Sequence, residues 1–285
     1  MSTIQRSHAL LPPTIEIDVV DEFGESHRQA IAAERSLTVY LNRREIVTLM
    51  SLGADPEALV VGYLRNQGLI TQREDLEAVM VDWEVEAAAV VTRHSPEDLE
   101  QRLGQRTVTT GCGQGTVFGR LLDAVPQTRL SQARVSQSVI YRLLDNLGDY
   151  NETYRSAGAV HGCALCRQTV VLDFVEDVGR HNAVDTLAGR EWLDDLPLGQ
   201  ADIFYTTGRL TSEMVLKVAQ MGISVLVSRS GVTQKGVELA RRFGVLLIAR
   251  AKGRRLQIVH GRERFDFDAQ PARRPGDIKR RQTKD

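Results

Sequence analysis

The amino-acid sequence predicts an α/β protein, with a small mixed α+β module ahead of a larger layered α/β domain. Three observations support this. Before about residue 104, apolar runs pair as hairpins around one helical stretch. Beyond about residue 170, short β-branched runs alternate with helical segments. Between them, Gly104 to Thr116 follows neither pattern. The expected organisation is a flexible lead over 1–14, a small α+β domain over 15–104, an α/β domain over 105–268 and a basic disordered tail over 269–285.

In the first module, Ile15 to Val20 is apolar and β-branched and ends in the turn-like Asp21-Glu22-Phe23-Gly24. Leu37 to Leu41 and Ile46 to Leu49 flank the polar Asn42-Arg43-Arg44-Glu45, which predicts a hairpin. Asp55-Pro56-Glu57 opens a helix: an N-cap side chain, then a proline where its missing N–H does no harm. Leu59, Val60, Tyr63 and Leu64 keep helical spacing, and Gly68 can stop the helix. Leu76 to Val91 holds two further strands.

In the second domain, strand Val170 to Phe174 precedes a helix near Arg180 to Leu187. Strand Ile203 to Tyr205, helix Ser212 to Met221, strand Val225 to Val227, helix Thr233 to Arg242 and strand Val245 to Ile248 follow. Gly222 and Gly244 punctuate the helix ends. Alternation of this kind implies a mostly parallel sheet covered by helices, which takes ligands at the carboxyl ends of its strands.

Composition narrows the function. A hydrophobic share of 42% and a charged share of 26% are ordinary for a soluble globular protein. The formal net charge of −1 gives no global basic field, so a nucleic-acid partner is not expected. No stretch approaches the roughly 20 apolar residues of a membrane helix. The N-terminus lacks a signal peptide's apolar run. Three cysteines are too few for a disulfide scaffold, which points to the cytoplasm and reduced thiols. Each cysteine is then a core residue, a metal ligand or a working thiol.

Cys163 and Cys166 form a C-x-x-C in His161-Gly162-Cys163-Ala164-Leu165-Cys166. That spacing allows a redox pair or half a zinc site. A structural zinc needs four ligands, and no second cysteine pair exists. The apolar, helix-compatible surroundings favour core packing. Cys112 sits in Thr109-Thr110-Gly111-Cys112-Gly113-Gln114-Gly115-Thr116, where three glycines in five residues give an adaptable backbone. A thiol there is accessible and can travel, as a sulfur carrier requires. A phosphate-binding glycine loop with an incidental cysteine is the alternative.

Two strand–loop–helix junctions suit anions. Thr206-Thr207-Gly208-Arg209 leads into the helix near Thr211, and Ser228-Arg229-Ser230-Gly231 into the one near Thr233. Helix starts offer free N–H groups and a favourable dipole, and Arg209 adds a guanidinium. Ala249-Arg250-Ala251-Lys252-Gly253-Arg254-Arg255 is either a phosphate-holding segment or a basic hairpin turn.

Several of these segments resemble the formate dehydrogenase accessory protein family (FdhD/NarQ). Glu176-Asp177-Val178-Gly179-Arg180-His181-Asn182-Ala183 is close to that family's EDVGRHNA signature, and Gly158-Ala159-Val160-His161 resembles its helix-opening G-x-x-H. Thr206-Thr207-Gly208-Arg209 and Ser228-Arg229-Ser230 follow in family order, and the resemblance spans about Ile15 to Phe267. It implies a cytidine-deaminase-like three-layer α/β/α domain. It also implies transfer of sulfur from a cysteine desulfurase to a Mo-bis(molybdopterin guanine dinucleotide) cofactor used by formate dehydrogenase.

By this resemblance Cys112 is the persulfide cysteine, and Ala249, Arg250, Ala251, Lys252, Gly253 and Arg254 contact the cofactor. The implied partners are the desulfurase as donor and the catalytic subunit of formate dehydrogenase as acceptor. A homodimer is allowed, and no tightly bound metal is expected. The family loop usually carries C-x-x-C, whereas Gly115 replaces its second cysteine here. A non-catalytic cofactor chaperone is therefore the alternative function. Deamination is not expected, because the zinc deaminase pair H-x-E and P-C-x-x-C is missing.

Overall fold

The computed structural model describes residues 4–94, 107–108, 115–116, 130, 132–194 and 200–271. Two sheets with helices between and around them give a mixed α/β fold. The N-terminal sheet is five-stranded, built from β1 (Gln5–Arg6), β4 (Arg35–Leu41), β5 (Arg44–Ser51), β6 (Leu76–Asp82) and β7 (Ala87–Thr92). Its order is β1-β6-β7-β4-β5. The hairpin joining β4 and β5 turns on Asn42 and Arg43, both at positive φ (47° and 70°). A two-residue hairpin loop needs that geometry, and asparagine tolerates it. Asn42 also exchanges hydrogen bonds with Thr92 of β7 at 2.8 and 3.0 Å, pinning the turn to the neighbouring strand.

Strands β2 (Thr14–Val20) and β3 (Ser26–Ala32) form a separate antiparallel ribbon; β8 (Thr107–Val108) pairs with β9 (Gly115–Thr116), and β10 (Val135–Ser136) with β17 (Phe265–Asp266). Helix α1 (Pro56–Asn66) begins as its sequence predicts, with the Asp55 carboxylate accepting the Ala58 N–H and proline in the first turn. The stretch before β2, expected to be flexible, is held in place from Gln5 onward. β1 pairs with β6, and Glu57 accepts bonds from the Ser7 hydroxyl (2.6 Å) and the Ala9 N–H (2.8 Å). Strand pairing and a buried carboxylate acceptor override the polar local sequence.

The second sheet is six-stranded, in the order β12-β11-β13-β14-β15-β16. Its strands are β11 (His161–Arg167), β12 (Val170–Asp177), β13 (Ile203–Thr206), β14 (Val225–Ser228), β15 (Leu246–Lys252) and β16 (Arg255–His260). The sheet is less parallel than the alternation implies: β13/β14 and β14/β15 are parallel, and the other three pairings are antiparallel. The parallel centre is where helices intervene; tight turns at the two edges reverse the chain.

One face of this sheet, through Cys163, Leu165, Phe204, Leu226 and Leu247, packs on α4 (Arg180–Asp194), α5 (Ser212–Gln220) and α6 (Gln234–Phe243). The other face, through Ala164, Cys166, Tyr205, Val227 and Ile248, packs on α2 (Gln137–Asn146). The domain is thus a three-layer α/β/α sandwich. Helix α2, capped by Ser136, and the short α3 (Glu152–Ala157) have no counterpart in the sequence reading.

Residues 161–166, expected in a helix-compatible setting after a helix-opening G-x-x-H, form β11 instead. Both faces of that strand are covered, so its apolar run carries no alternation to distinguish it from a helix. Helix α4 outruns its predicted end because Trp192 inserts into the core of the N-terminal module. The expected boundary near residue 104 and most of the expected tail lie outside the described residues.

Candidate functional site

The carboxyl ends of β13, β14 and β15 form a rim built from short polar side chains. Strand β13 ends at Thr206, which is fully buried. Its hydroxyl accepts the Gly208 N–H at 3.1 Å, turning the chain immediately after the strand. Strand β14 ends at buried Ser228, whose hydroxyl donates to the Gly208 carbonyl (2.6 Å) and accepts the Ser230 N–H (2.9 Å). One serine therefore locks both loops together. The loops continue side by side through Leu210 N–H to Gly231 O (3.0 Å) and Thr233 N–H to Leu210 O (3.1 Å). Each then enters a helix capped by a threonine, Thr211 for α5 and Thr233 for α6.

The segment from Glu176 to Ala183 is the structural junction beside this rim. Both Glu176 carboxylate oxygens accept N–H groups of the first turn of α3, from Thr153 (2.8 Å) and Tyr154 (3.0 Å). Asp177 accepts from Leu52 N–H (3.1 Å), Gly179 N–H (3.0 Å) and the Asn182 amide (2.7 Å). Asn182 also donates to the Met50 carbonyl at 2.6 Å, so the pair ties the N-terminal module to the start of α4. Burial is the largest influence on Asp177 and pushes its carboxyl up to about 6 against these bonds.

Arg180 opens α4, is buried, and lays its side chain on Gly208. A β-carbon on Gly208 would sit 2.6 Å from Arg180 Cδ. His161 meets the same loop, with Nδ1 3.2 Å from the Thr207 hydroxyl. Its basicity is lowered first by burial and then by the Arg180 and Arg209 cations. An imidazole whose basicity is lowered by two nearby arginine cations, close to the start of two helices, is chemistry suited to an anion. The backbone of Arg250 in β15 borders the same rim, its N–H donating to the Ser230 carbonyl at 2.8 Å.

The predicted site residues separate in space. Cys112 lies outside the described residues. Ala249 and Ala251 are buried on opposite faces of the second sheet, and exposed Arg250 stands at the rim. Lys252, Gly253 and Arg254 are exposed, with Lys252 closing the β15/β16 hairpin against Arg255. Arg254 is occupied by α2: it pairs with Asp145 at 2.8 Å and its guanidinium lies 5.2 Å from the Tyr141 ring centroid. The segment is thus a basic hairpin turn at its tip and part of the rim at Arg250. His161 and Arg180, named in the sequence only within motifs, are rim residues absent from the predicted set, while Thr206 and Ser228 belong to the two junctions read as suited to anions and lock them together through their hydroxyls.

Cys163 and Cys166 are fully buried and face opposite sides of the sheet, as i and i+3 in a strand must. They cannot pair with each other. Cys163 donates to Thr206 at 3.3 Å, and burial pushes its thiol up to about 12. Among the described residues, no group of three or more His, Cys, Asp or Glu side chains could hold a metal ion, and no helix is long and apolar enough to cross a membrane.

Known proteins agree with this architecture. A crystal structure named for a formate dehydrogenase accessory protein from Desulfotalea psychrophila superposes with a TM-score of 0.73 at 27% identity, covering 89% of this chain and 100% of that one. A protein of Bacillus subtilis (strain 168) named sulfur carrier protein FdhD is 31% identical over 220 residues, 76% of this chain and 83% of its own length. One of the same name from Listeria monocytogenes serotype 4b (strain F2365) is 28% identical over 239 residues, 83% of this chain and 91% of its own. The FdhD/NarQ family profile matches residues 32–266, a span that takes in the six-stranded sheet, the whole rim and all of the N-terminal sheet except β1, and the chain belongs to that family.

Proposed function

We propose that this protein is a cytoplasmic sulfur carrier serving formate dehydrogenase. A cysteine desulfurase supplies the sulfur, and the substrate is the Mo-bis(molybdopterin guanine dinucleotide) cofactor. The observation that carries the reading is the rim at the strand ends, where His161 meets the Thr207 hydroxyl, Arg180 lies on Gly208, and both the Arg180 and Arg209 cations act on His161, an arrangement suited to a dinucleotide's phosphates. The names of the relatives support the sulfur chemistry.

In the first step the Cys112 thiolate attacks the outer sulfur of the donor's persulfide. An S–S bond forms at Cys112, the donor's S–S bond breaks, and its thiolate leaves; no net oxidation occurs. Delivering that sulfur to molybdenum as sulfide needs two electrons. With Gly115 in place of the second loop cysteine, an external thiol must supply them by becoming the disulfide partner of Cys112. Gly115 also favours the second reading, a chaperone that binds and hands over the cofactor without sulfur chemistry.

Restoration of formate dehydrogenase activity in a strain lacking its own carrier tests the assignment. Cys112→Ser is expected to abolish it, while Cys163→Ser and Cys166→Ser retain most of it. Full activity from the Cys112 variant would leave the chaperone reading.

A further inference from the structure

A chain of buried polar groups runs from the N-terminal module to the rim. The Asn66 amide of α1 donates to Asp185 Oδ1 at 2.6 Å, and Lys217 Nζ of α5 lies 2.8 Å from Asp185 Oδ2. Lys217 also lies 3.4 Å from Glu213 Oε1, and Glu213 Oε2 lies 3.4 Å from His181 Nε2. None of the five residues is more than 4% exposed. His181 is held neutral by burial first and Lys217 next, so its contact with Glu213 is dipolar rather than an ion pair.

A buried ion cluster of this kind adds little stability over a packed apolar one, and losing a single member leaves an uncompensated charge. Its value lies in fixing geometry. Here it joins α1, α4 and α5. The first turn of α4 carries Arg180, and α5 begins where the Gly208 loop ends.

We infer that Asp185, Glu213 and Lys217 are positioning residues, which set the first turn of α4 against the Thr206–Thr211 loop and so hold the rim in its ligand-ready form. The inference rests on the rim being the ligand site.

The test is the charge-free near-isostere Asp185→Asn/Glu213→Gln/Lys217→Met in the full chain. Replacing the whole cluster is expected to leave the thermal midpoint within a few degrees of wild type. Hydrogen exchange at the Thr207 and Gly208 amides is expected to rise about tenfold, with Val227 and Leu247 in the central strands unchanged. GDP, as the phosphate probe, is expected to bind about tenfold more weakly. A merely structural role would move the strand amides as well.

Unchanged exchange at Thr207 and Gly208 overturns the inference whatever GDP does. Failure of wild type to bind GDP overturns the rim as a phosphate site, while the exchange measurement still decides the positioning role. Should the triple variant not fold, Glu213→Met alone decides: it keeps the Lys217–Asp185 pair and removes the polar group facing His181, and unchanged loop exchange there overturns the inference too.

Discussion

Gly62 of α1 and Gly189 of α4 face each other where the two helices cross, and neither position has room for a β-carbon. At Gly62 it would fall on the Asp185 carbonyl and within 2.7 Å of Gly189 N; at Gly189 it would fall on the Ala58 carbonyl. The two modules are therefore joined backbone to backbone, and this close approach brings Asn66 within reach of Asp185.

Gly62→Ala is expected to force the helices apart, because the obstructing atoms are backbone. Overpacking of a tight contact costs about 1–3 kcal/mol, and more where nothing can yield. Urea denaturation should show a lower midpoint for Gly62→Ala and for Gly189→Ala. A wild-type midpoint in both would mean that the crossing is looser than described.

The thiols give a second expectation. Cys163 and Cys166 are buried, and burial raises both thiols well above the ordinary range. A thiol reagent at pH 8 is expected to modify only Cys112 in the native chain, and all three cysteines after unfolding. Rapid native labelling of Cys163 would contradict its placement beneath Thr206.

Asp177 makes stability depend on pH in an unusual direction. Its folded carboxyl sits near 6, above the ordinary 3.8, so the native state holds this proton more tightly than the unfolded chain does. The stabilisation this provides is complete below about pH 4 and is lost as pH rises through 6. Asp177→Asn cannot titrate. The stability difference, wild type minus variant, is therefore expected to fall between pH 4.5 and pH 7.5 when measured from urea midpoints. A difference that grows over that range would reverse the sign argued here.

Much of the fold was legible because its signals are local. Asp55-Pro56, Asn42-Arg43 and the threonines before α5 and α6 act within a few residues of themselves, and each forms the predicted boundary. Strand β11 was not legible, since a strand covered on both faces loses its alternation. Nor was the tie between residues 5–9 and Glu57, which depends on partners some fifty residues away. At the site, the arginines and glycines of the rim loops stood out. The locking role of Ser228 and Thr206 within those loops did not, because a hydroxyl that ties two loops together looks in sequence like any other serine or threonine. Arg254 stands out by its charge and by the family resemblance, and its contacts with Asp145 and Tyr141 come from a helix distant in sequence.

That difference between Arg250 and Arg254 leads to a ranking. Arg209→Ala/Arg250→Ala is expected to weaken GDP binding at least about tenfold, since each contact to a charged group is worth roughly 1.5–3 kcal/mol. Lys252→Ala/Arg254→Ala is expected to weaken it less, because Arg254 already has partners. Calorimetry with both pairs settles the order. The opposite order would move the phosphate site to the hairpin tip.

Sulfur on Cys112 is the central expectation, and the mass of that residue tests it most directly. The protein is incubated with a cysteine desulfurase and cysteine, then analysed by mass spectrometry without reduction. A gain of about 32 Da, one sulfur atom, is predicted on the peptide containing Cys112 and on neither buried cysteine. An unmodified Cys112 under conditions that load a known carrier, or sulfur found on Cys163 instead, would contradict the persulfide mechanism.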